Sequence, residues 1–143
     1  MVNIVAAQPD LFTSTMGAGG RALVFNVTNP MARTAEPPNG FPVMSDDGTG
    51  NQVPTVLEID LTGVRGVSSP AFVTVTIGTT DINGAVFVGP NPEMPGFDFI
   101  KVALPASLAG AGDVPVIVTI SPGGGAIFQS RPSDTAPHIK ISP

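Results

Sequence analysis

Residues 96–120 read GFDFIKVALPASLAGAGDVPVIVTI, two alternating apolar runs on either side of a glycine-rich centre. Period-two alternation is the mark of a half-buried strand, and it puts Ile100, Val102 and Leu104 on one face of the first run. The second run does the same with Val114, Val116, Val118 and Ile120. Between them, Pro105 ends a strand, Gly110 and Gly112 permit a tight turn, and Asp113 opens the next strand. The segment PASLAGAG supports a single 3₁₀ turn and no longer helix. A dinucleotide loop would need a helix after its glycines, with the helix N-terminus facing the phosphates. Here Val114-Pro115-Val116 follows, and Asp113 puts a carboxylate where phosphate would sit. The stretch reads as strand, turn, strand. SPGGGA at 121–126 fails as a phosphate loop for want of the lysine.

The same alternation recurs along the chain. FVTVTIG puts Val73, Val75 and Ile77 on one side and Thr74 and Thr76 on the other. TVLEIDLTG turns Leu57, Ile59 and Leu61 inward and Glu58 and Asp60 outward, and RALVFNVTNP places Leu23, Phe25 and Val27 on one face. Shorter candidates are Val2–Val5, Val86–Val88 and His138–Ile141. About eight strands at this spacing predict an all-β sandwich or barrel. Turn signals separate them at Asn83-Gly84, Pro90-Asn91-Pro92 and Pro122 to Gly125. Residues 29–54 read as one long irregular loop, and residues 1–8 as a linker or a donor strand.

Composition agrees. The 143 residues suit a single domain, 1–143, with 42% hydrophobic residues to build a core and only 12% charged. Seventeen glycines and sixteen prolines suit short strands joined by turns better than helices. The net charge is −5 and the six cations are scattered singly, without Trp or Tyr to stack on bases, so nucleic acid is excluded as a partner. The longest uncharged run, Val114–Ser130, is broken by Pro115, Pro122 and Gly123–Gly125, and no membrane insertion is expected. Met1-Val2-Asn3 lacks the start of a signal peptide, so the chain is expected to be cytoplasmic, a mature form or part of something larger. Cysteine is absent, which removes disulfides, thiolate metal sites and a Cys nucleophile.

Residues with chemical potential are few. His138, the single histidine, follows Pro137 in a terminal strand, with no elbow or oxyanion hole in its surroundings. SDDGTGNQ offers Asp46, Asp47 and Asn51, with Thr49, as oxygen donors to Ca²⁺. Their spacing departs from the D-x-D-x-D-G loop, and Asx-turns account for them more simply. Asp81 and Asn83 form a second such pair. Glu58 and Asp60 share one face of one strand, as a glycosidase pair would, yet they also fit the ordinary polar face of a sandwich. Asn26-Val27-Thr28 matches a glycosylation sequon but lies inside an expected strand. No catalytic, cofactor or metal residues are assigned beyond the Ca²⁺ candidate.

Several of these segments together resemble a module repeated in large secreted proteins of Acidobacteria and related soil bacteria. Val73–Gly78, Val86–Gly89, Pro95–Pro105 and Leu108–Val118 follow that family's strand motifs in order, and AAQPDLFT at 6–13 resembles its opening. Phe99-Ile100-Lys101 replaces the family's Gln-Ile-Asn, and the ending is lengthened to FQSRPSDTAPHIKIS. The resemblance implies an immunoglobulin-like β-sandwich of about seven to eight antiparallel strands, extracellular and without assigned activity. The expected function is therefore a non-catalytic structural or adhesion module of a bacterial surface or secreted protein, not an enzyme, with neighbouring domains or identical subunits as partners. Two alternatives remain open. One is a filament or surface-array subunit, joined by strand addition through Val2 and Ile4. The other is a carbohydrate-binding module that uses the 29–54 loop to hold glycans.

Overall fold

A computed structural model describes residues 10–11, 20–62, 73–83, 87–90, 97–123, 126–130 and 136–143. Among these the chain is all-β. In order it forms β1 (Asp10–Leu11), β2 (Val24–Asn26), β3 (Thr34–Ala35), β4 (Met44–Asp46), β5 (Gln52–Pro54), β6 (Val56–Thr62) and β7 (Val73–Ile77). There follow β8 (Thr80–Asn83), β9 (Phe87–Pro90), β10 (Asp98–Ala103), a 3₁₀ turn (Ala106–Leu108), β11 (Gly112–Gly123), β12 (Ala126–Gln129) and β13 (His138–Ile141).

Two antiparallel sheets carry the fold. The first runs β3-β2-β6-β10-β9, with β1 also on β6. The second runs β12-β11-β7-β8, with β13 also on β11. The alternating faces read from the sequence supply the layer between them. Leu57, Ile59, Leu61, Ile100 and Val102 from the first sheet join Val73, Val75, Ile77, Val116, Val118 and Ile120 from the second in one cluster. None of them is more than 1% exposed. Two sheets that bury their inner faces in a common core are the arrangement of a β-sandwich.

The 12-residue β11 is the longest strand, and it divides its pairing. Gly112–Pro115 pair with β13, while Val116–Ile120 pair with β7. Pro115 cannot donate to a ladder. It lies just past the last β7 pair, Val116 with Ile77, and its carbonyl accepts the Gly78 amide at 2.9 Å. The proline thus falls where the neighbouring strand has already turned away. Pro105, the 3₁₀ turn and Gly110 and Gly112 at φ +79° and +75° form the connection expected between β10 and β11.

Two expectations are corrected. Residues 29–54 are not an irregular loop, for they hold β3 and the β4–β5 hairpin. The hairpin is docked by polar contacts: Asn26 Nδ2 donates to Ser45 Oγ at 3.0 Å, and Ser45 Oγ meets Thr55 Oγ1 at 2.6 Å. In β2 the faces are reversed. Ala22 and Val24 enter the core, and Phe25 is only half-buried on the other side. Both sides of RALVF are apolar, so alternation alone does not choose between them; pairing of Val24 with the core residue Ile59 does.

The outer edge of β13 is covered by chain from earlier in the sequence. Arg21 bridges His138 and Phe41 bridges Ile141, both in parallel sense. The Phe41 amide donates to the Lys140 carbonyl at 2.7 Å, and the Ser142 amide donates to the Phe41 carbonyl at 2.9 Å. Gly40 makes this approach feasible. It sits at φ +94°, and a Cβ there would meet the Lys140 carbonyl oxygen at 2.8 Å and the Ser142 nitrogen at 2.9 Å. Gly50 has nearly the same φ, +93°, with nothing within 4 Å. Gly50→Ala is expected to cost about 1 kcal/mol of backbone strain. Gly40→Ala adds a backbone clash and is expected to cost roughly 2–4 kcal/mol. Urea denaturation of the two variants checks the difference.

Candidate functional site

The outward face of the first sheet is where polar chemistry is concentrated. Strand alternation fixes Glu58 and Asp60 on the side of β6 away from the core. The register sets Phe25 of β2 and Lys101 of β10 on either side of Glu58, and Phe99 of β10 beside Asp60. The outward polar face expected of this strand is present, but its acids are not open to water. Glu58 is 7% exposed and Asp60 is fully buried.

Arg33 completes the group. It immediately precedes β3, whose pairing with β2 aligns Ala35 with Phe25. Its guanidinium lies 3.6 Å from the Phe25 ring centroid, a cation–π contact that fixes its plane. From there Nε donates to Glu58 Oε2 at 3.0 Å, and Nη2 donates to Glu58 Oε2 at 2.5 Å and to Asp60 Oδ2 at 3.2 Å. Among the described residues, Asp60 Oδ1 is buried without a hydrogen-bond partner. One guanidinium faces two carboxylates, so full ionisation would leave an uncompensated buried charge. Accordingly the Asp60 carboxyl is pushed up to about 7, by burial first and then by the charge and hydrogen bond of Glu58, with Arg33 opposing. Catalysis on a substrate would require Arg33 to lift away, because Asp60 has no route to solvent past it in this arrangement.

A second charged group surrounds the start of β11. Arg21 bonds Asp113 Oδ1 through Nη1 and Glu36 Oε1 through Nη2, the latter at 2.6 Å. His138 Nδ1 lies 3.2 Å from Asp113 Oδ2, and Glu36 Oε2 accepts the Lys140 amide at 3.1 Å. Burial raises the Asp113 carboxyl, but the hydrogen bond and charge of Arg21, with His138 behind, outweigh it and hold the group below its usual value. His138 thus serves a polar contact beside β13. Its partner carboxylate is half-exposed, which makes the group a weak source of stability.

The Ca²⁺ candidates lie at the end of β4 and in the β4–β5 turn. Asp46 Oδ1 accepts the Gly48 and Gly50 amides at 2.6 and 3.2 Å. Asp47 Oδ1 accepts the Thr49 amide and hydroxyl at 2.8 and 2.5 Å, and Asn51 Nδ2 donates to Thr49 Oγ1 at 3.0 Å. One oxygen of each carboxylate is therefore engaged in an Asx-type turn. Asp81 and Asn83 accept hydrogen bonds from Thr76 and Thr74 at 2.7 and 2.8 Å. Asn26 lies within β2 as expected, its Oδ1 accepting from Thr28. Val2 and Ile4, the strand-addition candidates, lie outside the described residues.

Sequence reasoning paired Glu58 with Asp60 but missed Arg33 and Glu36, which it counted only as members of a loop. The one available signal was a carboxylate pair on a strand flanked by phenylalanine-bearing strands. An open groove of about 830 Å³, bordered by Pro37, Gly40, Pro42, Gly110, Lys140 and Pro143, lies at the Gly110 end of the fold. No protein-family model, curated protein or solved structure matches the chain.

The two charged groups are expected to respond differently to loss of their arginine. Arg33→Met strands two buried carboxylates and is expected to cost about 3 kcal/mol, somewhat reduced because the guanidinium is a third exposed. Arg21→Ala, with partners nearer to water, is expected to cost about 1 kcal/mol or less. Chemical denaturation at neutral pH measures both.

Proposed function

We propose that the chain is a non-catalytic structural or adhesion module of a bacterial surface or secreted protein, built as an immunoglobulin-like sandwich. The observation that carries this reading is the strand order. One sheet sets β6 between β2 and β10, with β9 beyond; the other sets β11 between β7 and β12, with β13 also paired to β11. The chain passes from β6 in the first sheet to β7 and β8 in the second, back to β9 and β10 in the first, and on to β11 in the second, an order that parallels the ABED and CFG sheets of that fold. The parallel bridge between Arg21 and His138 closes the last strand against chain from near the start.

The use of polar side chains supports a structural role over a catalytic one. Arg33, Glu58 and Asp60 bond one another; so do Arg21, Glu36 and Asp113. Thr74 and Thr76 bond Asn83 and Asp81 on the outer face of the second sheet. These groups are spent on holding strands and turns rather than left converging on a cleft, as binding a reacting substrate would need.

Proteinase treatment of intact source cells tests the location: the chain is expected to be digested or shed without lysis. Protection until lysis would refute a surface or secreted module. A hydrolase substrate panel tests the role, with no turnover expected. Turnover abolished by Glu58→Gln would instead make the carboxylate pair catalytic, and a specific glycan-array signal would favour the carbohydrate-binding reading.

A further inference from the structure

The orphaned oxygen of Asp60 is the least explained atom in the described fold. Two carboxylates on one strand, at 0% and 7% exposure, face a single guanidinium. Asp60 Oδ2 accepts from Arg33, whereas Oδ1 is buried with no hydrogen-bond partner among the described residues. A buried acceptor in that position costs about 1–3 kcal/mol if left unmet. A proton on the Asp60 carboxyl removes the buried charge and supplies a donor to Glu58, two residues along the same face, with which Asp60 shares a side-chain hydrogen bond. Within the hydrogen-bonded group the charge then balances: one guanidinium, one carboxylate and one neutral carboxylic acid.

We propose that Glu58 and Asp60 hold one shared proton and, with Arg33, form a clasp that fastens the Arg33 segment and β3 onto the sheet most firmly in acid and loosens as pH rises towards neutrality. When the clasp loosens, the proton passes from Asp60 to solvent base, and the carboxylate left behind must be hydrated. The cheapest way to admit water is to lift the Arg33 segment, since β3 is two residues long, exposed, and paired with β2 at only two positions. Among the described residues, the charged groups on this face are Glu58 on the same strand, Arg33 before β3, Lys101 on β10 opposite Glu58, and, by register, Asp10 of β1 opposite Thr62. Lys101 Nζ lies 5.3 Å from the Phe99 ring centroid; β2 brings the uncharged Phe25.

The sign of the pH effect follows from the direction of the Asp60 shift. A carboxyl raised in the folded state from 3.8 to about 7 contributes stability that is complete below the lower value and is lost as pH climbs through the upper one. Over that window the opening or unfolding constant rises by up to about tenfold per pH unit, and it levels off above it. Ordinary carboxylate pairs behave in the opposite way.

The test follows the stability of the full chain from pH 4.5 to 8, together with amide exchange of residues 33–35 corrected for its intrinsic pH dependence. Wild type is expected to lose stability and open faster up to about pH 7. Asp60→Asn is expected to flatten both trends, and Glu58→Gln to reduce them, while His138→Gln leaves them unchanged. A flat wild-type profile, or an Asp60→Asn variant that keeps the slope, overturns the proposal. Should the variants not fold, carboxyl-carbon NMR of wild type decides: an Asp60 midpoint near neutrality sustains the clasp, and one below about pH 5 overturns it.

Discussion

The contact on which the rest of the fold depends is the apolar layer between β6 and β10 on one side and β7 and β11 on the other. Leu57, Ile59 and Leu61 have no exposed surface, nor do Val73, Val75 and Ile77 opposite. Each such side chain contributes about 1.5–3 kcal/mol by leaving water. The set is contiguous and fills both sheets, so it fixes the register of every strand that contributes to it. A slip of one residue would turn the whole set outward. Once that register is fixed, the side chains on the reverse of each strand have no choice of position. Glu58 and Asp60 are held away from the core because Leu57, Ile59 and Leu61 must enter it. The chemistry of the outer face is a by-product of the packing of the inner one.

Closure of the edges follows a different rule. β13 is stitched to β11 along four residue pairs and would present bare backbone on its other side. Arg21 and Phe41, from two separate parts of the chain, cover it. Ion pairs at Arg21 add little energy at that exposure, but they specify which residues meet there. The β4–β5 hairpin is likewise placed by direction-dependent contacts, through Ser45 and the fully buried Thr55, whose carbonyl accepts the Leu104 amide at 2.8 Å. Apolar burial sets the layers, and polar contacts set what lies over their margins.

This division explains what could be read from the sequence. Strands β6, β7, β10, β11 and β13 announce themselves because each alternates over four residues or more and each feeds the core. β3, β4, β5 and β8 do not, since they are two to four residues long and contribute little to it. Thr80–Asn83 has one apolar residue and pairs with β7 only because the Gly78 turn, at φ +65°, brings it back. The carboxylate pair was legible as a shared face, because adjacency on a strand is local information. Its burial was not, because Arg33 lies 25 residues away from Glu58 and reaches it through a two-residue strand with no pattern of its own. Phe25 compounded the difficulty: its apolar side chain suggests core, whereas it forms the floor beneath the guanidinium.

The two charged groups pull the pH profile of the molecule in opposite directions. Asp113 is held below its usual value, so its contribution is present above that value and lost as pH falls through the depressed one. Asp60 is raised, so its contribution is present in acid and lost as pH rises towards about 7. Between those limits the Asp113 contribution is complete, while that of Asp60 declines as pH rises. The net charge of −5 at pH 7 works in the same sense as Asp60, because self-repulsion grows as the remaining carboxyls ionise. Most domains are steadiest between about pH 5 and 8. Here the sum of local and overall charge moves the most stable range to the acidic side of neutrality, and the cause is traceable to one buried carboxyl on β6, that of Asp60.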